Sequence, residues 1–156
     1  QITLDEAYRG TQRIFQIGDR RIEVKIPAGA MTGTKVRMSG AVPTSTGGRG
    51  DLHLVVEVLP DSRFSVEGAN LTTEVMVDLY TAVLGGSATV HTLSGDVVLT
   101  IPAGTQPGQK IRLAGRGMPK LKEPGKFGDL FAVIKVNIPR KLTDKQRRLF
   151  TDLRNM

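Results

Sequence analysis

Ile22, Val24 and Ile26 alternate with Glu23 and Lys25. A period of two puts one row of side chains on a single face, so this run predicts a half-buried strand. Residues 13–17 form a second strand-like run just before it. Gly18 and Asp19 between the two supply a tight turn, and together they predict a hairpin. Residues 88–93 and 97–101 predict another hairpin around Ser94 and Gly95. Residues 36–38 and 111–113 read as short strands, and 52–59 and 130–138 as longer ones. The Pro-Ala-Gly that follows Ile26, and again Ile101, breaks each strand and turns the chain.

Helical signals are few. Thr3 with Glu6 has capping-box spacing and Gly10 can end the short helix it opens. Asp78 and Gly85 bracket a second one. Thr143 with Gln146 opens a third, along which Leu149, Phe150, Leu153 and Met156 make an apolar stripe, with Arg147, Arg148 and Arg154 mostly off it. A helix of about 14 residues is marginal alone in water, so the stripe needs a surface, on its own domain or on a partner subunit.

These signals recur. The fifteen residues from Ile26 to Gly40 reappear from Ile101 to Gly115 with eight identities, an offset of 75. The same offset aligns Leu4 to Gly10 with Leu79 to Gly85. After a loop differing by three residues, Gly50-Asp51-Leu52 matches Gly128-Asp129-Leu130. A period this long describes a duplicated domain, not a solenoid. The expected fold is mainly β: two tandem small sandwich- or barrel-like domains of one fold, each with a short helix, plus a C-terminal helix. Residues 1–68, 69–142 and 143–156 are the expected divisions.

The 156 residues carry a net charge of +7, unevenly. Residues 1–68 hold nine Lys/Arg and eight Asp/Glu, while 69–156 hold thirteen and seven. A basic half suits nucleic acid, a membrane surface or an acidic protein partner. Only seven aromatic residues are present, with no Trp, which argues against a stacking platform for single strands. The absence of cysteine excludes disulfides and thiolate-held zinc and fits a reducing compartment such as the cytoplasm. No apolar run approaches the roughly 20 residues that span a bilayer. The opening Gln1, with no signal peptide, suggests a fragment of a longer chain.

Catalytic constellations are missing. His53 and His91 each sit in a strand pattern with no neighbour to share a metal. Residues 47–50 are glycine-rich but precede a strand, whereas a phosphate cradle follows one and opens a helix, so they read as a flexible turn. No carboxylate pair stands out. Neither an enzyme nor a cofactor is expected. The Lys, Gly and Pro of residues 120–127 suggest a mobile loop.

The repeated Ile-Pro-Ala-Gly segments, Gly128-Asp129-Leu130, Leu84-Gly85-Gly86 and Arg116-Gly117-Met118-Pro119 together resemble the C-terminal substrate-binding region of DnaJ-family co-chaperones, across essentially the whole chain. The resemblance implies two β-domains in series and a dimerisation helix, here with Leu149, Phe150 and Leu153. His53 precedes Leu54 and His91 precedes Thr92, so the His-Pro-Asp motif that stimulates the partner ATPase is absent. Where some members insert a zinc module, this chain has only Gly18 and Asp19, as in the zinc-free class.

Further site expectations follow from the resemblance. Unfolded client segments would lie in an apolar groove on the first domain, at Phe15, Ile17 and Phe64; another groove strand would precede Leu4. The acidic tail of a DnaK-type chaperone would dock at Arg13, with Arg20, Arg21 and Lys25 adding charge. The duplication itself also points to the first copy: Phe15 becomes Val90 and Ile17 becomes Thr92, so the large apolar pair is lost in the second. Nucleic-acid binding, at most weak, through Lys110, Arg112, Arg116, Lys120, Lys122 and Lys126 is the alternative, and a purely structural dimerisation module a third reading.

Overall fold

The computed structural model describes residues 1–43 and 48–156, with the backbone alone for 39–43 and 49. The first copy runs through helix α1 (Leu4–Arg9), strands β1 (Thr11–Ile17) and β2 (Arg20–Ile26), then β3 (Lys35–Pro43) and β4 (Arg49–Val55). Strands β5 (Ser65–Glu67) and β6 (Asn70–Asp78) lead into α2 (Leu79–Leu84), β7 (Gly86–Thr92), β8 (Gly95–Ile101), β9 (Lys110–Leu113) and β10 (Leu130–Asn137). Helix α3 (Asp144–Arg154) follows. The protein is mainly β, built from small sheets, and no closed barrel forms among the described residues. The glycine-rich turn expected at 47–50 lies partly outside those residues.

Both copies use the same local devices. Thr3 and Glu6 cap each other's backbone N–H at α1, as Thr143 and Gln146 do at α3, and Asp78 accepts from the Thr81 N–H at α2. The hairpins share one register: Phe15 faces Ile22 across β1–β2, and Val90 faces Val97 across β7–β8. The second turn therefore falls on Leu93 and Ser94, one residue before the expected Ser94-Gly95, because Thr92 already pairs with Gly95. After each hairpin the turn folds back onto the helix: the Gly29 N–H donates to Ala7 O at 2.8 Å and the Gly104 N–H to Ala82 O at 2.9 Å. An Arg–Asp pair also repeats, Arg37 with Asp51 and Arg112 with Asp129.

The strand expected at 52–59 is interrupted. β4 ends at Val55, the Val56 N–H donates to Thr34 O, and Val58 then bridges Ile2 in parallel. The chain has changed partners, from β3 to its own first residues. In the second copy the corresponding strand is paired on both sides, β10 lying parallel to β6 and antiparallel to β9. The Val136–Val77 pair there matches Val58–Ile2. At the offset of 75, β6 maps onto positions before Leu4, of which the chain contains only Gln1 to Thr3.

Residues 120–127, expected as a mobile loop, close into a pinned turn. Pro119 bridges Phe127, the Lys120 N–H donates to Lys126 O at 2.8 Å, and the Phe127 ring lies 6.2 Å from that of Tyr8. The adjoining motif glycines have a steric reason. A Cβ on Gly128 would stand 2.2 Å from Ala69 O, and one on Gly117 would stand 2.5 Å from it.

One apolar core runs through both copies, with Leu4, Ala7, Ile26 and Phe64 in the same cluster as Leu71, Ile101, Leu130 and Ile134. Burial of this continuous surface is the main force holding the copies together. The contact is closest at Gly29, where a Cβ would lie 2.5 Å from Pro119 O. A smaller cluster sits under the first hairpin, with Ile22 and Val24 against Val36, Met38, Leu52 and Leu54. β5 pairs with β6 through a turn at 68–69, the position of the expected division.

Candidate functional site

Residues directly opposite in an antiparallel pair project to one face. Arg13, Phe15 and Ile17 therefore share a face with Val24, Ile22 and Arg20. Ile22 and Val24 are buried in the small cluster and Ile17 packs at its margin, yet Phe15 is 37% exposed. Its counterpart Val90 is 2% exposed, in a core that also contains Val75 of β6. Two features separate these positions: the larger side chain at 15, and β6, which flanks the second hairpin and maps onto positions before Leu4 in the first.

Phe64 lies elsewhere. It is buried, at the floor of a groove of about 540 Å³ between the copies, lined also by Leu4, Met31, Leu59, Val66 and Met118. The Arg63 guanidinium lies 5.3 Å from its ring centroid. Among the described residues, Phe15 and Ile17 form one apolar face and Phe64 belongs to another depression, so the structure does not gather the three expected groove residues in one place.

The cations of the first hairpin divide between its two faces. Arg13 and Arg20 flank Phe15 and Ile17, whereas Arg21 and Lys25 project to the opposite side. Lys25 there lines a shallow depression of about 470 Å³ with Arg9. Arg13 is held by two hydrogen bonds to Glu6, from Nη1 to Oε2 at 2.7 Å and from Nη2 to Oε1 at 3.0 Å. This pair, helped by the Thr3 N–H, lowers the Glu6 carboxyl to about 2 and raises the Arg13 guanidinium above its ordinary value. Glu6 had been legible only as a cap; its second role comes from the hairpin folding back over α1. Position 81, the counterpart of Glu6, is Thr, and position 88, that of Arg13, is Ala, so the pair is confined to the first copy.

The stripe on α3 meets α2. Phe150 packs on Tyr80, with ring centroids 6.2 Å apart. Leu149 and Leu153 remain 54% and 64% exposed, and with Tyr80, Val83 and Leu84 they edge an open apolar groove of about 560 Å³. The α2 side of this groove was missed in the sequence, although the signal is present: Asp5 and Arg9 of α1 become Tyr80 and Leu84. Helix α3 has no buried residue.

His91 Nδ1 lies 2.7 Å from Asp96 Oδ1. No cluster of His, Asp and Glu that could hold a metal ion occurs among the described residues. No helix in them is long and apolar enough to cross a membrane.

Residues 1–139 match the family model described as DnaJ C terminal domain. A chaperone protein DnaJ of Deinococcus proteolyticus is 38% identical over 156 residues, covering 100% of this chain and 48% of that protein. A curved DNA-binding protein of Coxiella burnetii is 36% identical over 168 residues, covering 97% and 52%. A chaperone protein DnaJ of Methanothermobacter thermautotrophicus is 44% identical over 133 residues, covering 84% and 35%. The chain thus spans about half the length of the first two relatives and about a third of the last. With the repeated frame, its motif glycines and the terminal helix all in place, the chain belongs to the DnaJ C-terminal domain family.

Proposed function

We propose that the chain works as a co-chaperone region, holding unfolded polypeptide segments and presenting them to a DnaK-type chaperone in the cytoplasm, without catalysis. The first copy, residues 1–68, does the holding; residues 69–142 repeat the frame, and 143–156 join two copies of the chain. The observation that carries this reading is the apolar pair Phe15 and Ile17 on the first hairpin, where the duplicate has Val90 and Thr92. Phe15 and Ile17 offer adjacent apolar contacts along one strand, the arrangement that reads alternate side chains of an extended peptide. Phe64, in its separate groove, serves the same client as a second apolar contact.

The acidic tail of the chaperone docks at Arg13 and Arg20 on that face, with Arg21 and Lys25 steering it from the other. An incoming carboxylate must share Arg13 with Glu6. Dimerisation uses Leu149 and Leu153, whose exposed side chains edge the α2–α3 groove, with Phe150 fixing the helix on Tyr80.

Aggregation of an unfolded reporter protein, followed by light scattering, tests the holding site. Phe15→Ser should reduce suppression several-fold while thermal melting stays near that of the parent; full suppression by the folded variant would remove the assignment. Sedimentation of Leu149→Asp/Leu153→Asp should show a monomer where the parent is a dimer.

The curved DNA-binding relative favours a second reading, duplex binding through the basic second half. Lys120, Lys122 and Lys126 cluster on the pinned turn at 120–127. Such binding should weaken steeply with salt, and the lack of any shifted complex at low salt would exclude it.

A further inference from the structure

A depression of about 1040 Å³ lies between β6 and the β7–β8 hairpin and is lined by Phe64 but by neither Phe15 nor Ile17. Two features give it a definite chemistry. The first is a free strand edge. β6 pairs with β10 along Leu71 to Asp78, but on its other side β5 covers only Asn70 to Thr72. From Thr73 to Val77 that edge has no strand partner among the described residues, and an unpaired edge is a template for an added strand. The cleft opens along this edge, with Thr73, Glu74, Val75 and Met76 on one wall and Thr89 and His91 on the other.

The second feature is charge. The cleft is lined by Asp61, Glu74 and Asp96, and Asp5 joins them through Arg63. Against these four carboxylates stand Arg63, which bonds Asp5 at 2.9 Å and Asp61 at 2.8 Å, Lys135, 3.1 Å from Glu74, and the His91 imidazole, 2.7 Å from Asp96. The locality is acidic within a chain of net charge +7. Glu74 and Asp96 are well exposed, one on each wall, while the apolar pair of the first copy is replaced here by buried Val90 and by Thr92. A greasy segment finds only Met76 well exposed among the apolar residues of this cleft. A cationic one finds carboxylates on both sides of a free backbone ladder.

We propose that the cleft between β6 and β7 binds an extended basic polypeptide segment, which adds as a strand to the edge of β6 with its Lys or Arg side chains between Glu74 and Asp96. This surface excludes the client face at Phe15, meets the proposed client residues only at Phe64, and does not depend on the Phe15 reading.

The test uses a dye-labelled ten-residue peptide of alternating threonine and lysine, and its counterpart with glutamate in place of lysine. Fluorescence anisotropy with the full chain should show saturable binding of the lysine peptide and at least tenfold weaker binding of the glutamate peptide. Glu74→Lys/Asp96→Lys should weaken the lysine peptide on the order of tenfold and strengthen the glutamate peptide. If that double variant melts early, Glu74→Gln/Asp96→Asn replaces it, with a smaller loss expected. A photoreactive lysine peptide should place its adducts on residues 73–76 and 89–92. Equal binding of both peptides, no binding of either, or adducts confined to other surfaces would overturn the proposal.

Discussion

The two copies share a frame and differ at the faces that meet solvent. Ile26 and Ile101, Gly29 and Gly104, and the Arg37–Asp51 and Arg112–Asp129 pairs occupy the same places in each. Those positions end strands, turn the chain and tie β3 to β4 and β9 to β10. Elsewhere the chemistry diverges. The first copy has Phe15 at the surface and Glu6 bound to Arg13; the second has Val90 in the core, and Thr81 and Ala88 in place of the ion pair. The short helices diverge too, with Asp5 and Arg9 in α1 against Tyr80 and Leu84 in α2. Duplication has preserved what folding needs and released the surfaces, so that one copy offers an apolar hairpin face, the other an apolar seat for α3, and residues of both line the acidic cleft. Function is then carried by sites on a common fold, not by the fold itself.

The sharpest break of this comparison is the same substitution at equivalent positions. Val90→Ser removes a buried branched side chain and places a hydroxyl in the core, and should cost about 3 kcal/mol in urea unfolding. Phe15→Ser at the exposed position should cost about 1 kcal/mol or less, its loss appearing instead in aggregation suppression. Equal destabilisation would mean that Phe15 is a core residue like its counterpart. A second pair concerns the contact between copies. Gly29 and Gly104 both have positive φ, 92° and 80°, so alanine strains each by about 1 kcal/mol. Only Gly29 faces a backbone oxygen, that of Pro119, so Gly29→Ala should cost about 1–3 kcal/mol more than Gly104→Ala. Matching melting temperatures for the two variants would show that the copies are not locked at this point.

The frame was legible because its signals are local. Period-two alternation at Ile22, Val24 and Ile26, capping boxes at Thr3 and Thr143, and the repeated Pro-Ala-Gly each specify backbone geometry within a few residues. At offset 75 the replacement of Phe15 by Val90 and of Ile17 by Thr92 is read from the sequence alone. What escaped depends on non-local partners. β6 alternates Leu71, Val75 and Val77 inward, but the threonines and Glu74 between them dilute the pattern, and the strand is defined by pairing with β10 nearly sixty residues away. The interruption after Val55 follows from Ile2 replacing β3 as partner, and Phe64 sits apart from Phe15 because the core of both copies closes around it. The pinned turn at 120–127 owes its form to Phe127 meeting Tyr8 from the first copy, which no local composition signals.

The smallest expected effect concerns the ion pair found only in the first copy. Glu6 both caps α1 and binds Arg13, and its carboxyl is lowered from 4.5 to about 2. A group depressed in the folded state stabilises it above the unfolded value and loses that contribution as pH falls through the folded one. The Glu6 contribution should therefore be complete at neutral pH and fade between 4.5 and about 2. Glu6→Gln keeps an oxygen able to accept from the Thr3 N–H, so the cap survives while the charge is lost. Urea midpoints of the parent and this variant should differ slightly and constantly near neutrality, since the pair is exposed and screened by salt, and converge as the acid is added. A gap for Glu6→Gln that persists unchanged to about pH 2 would assign the effect to the cap or to packing, and would remove Arg13 of β1 as a cation held by α1.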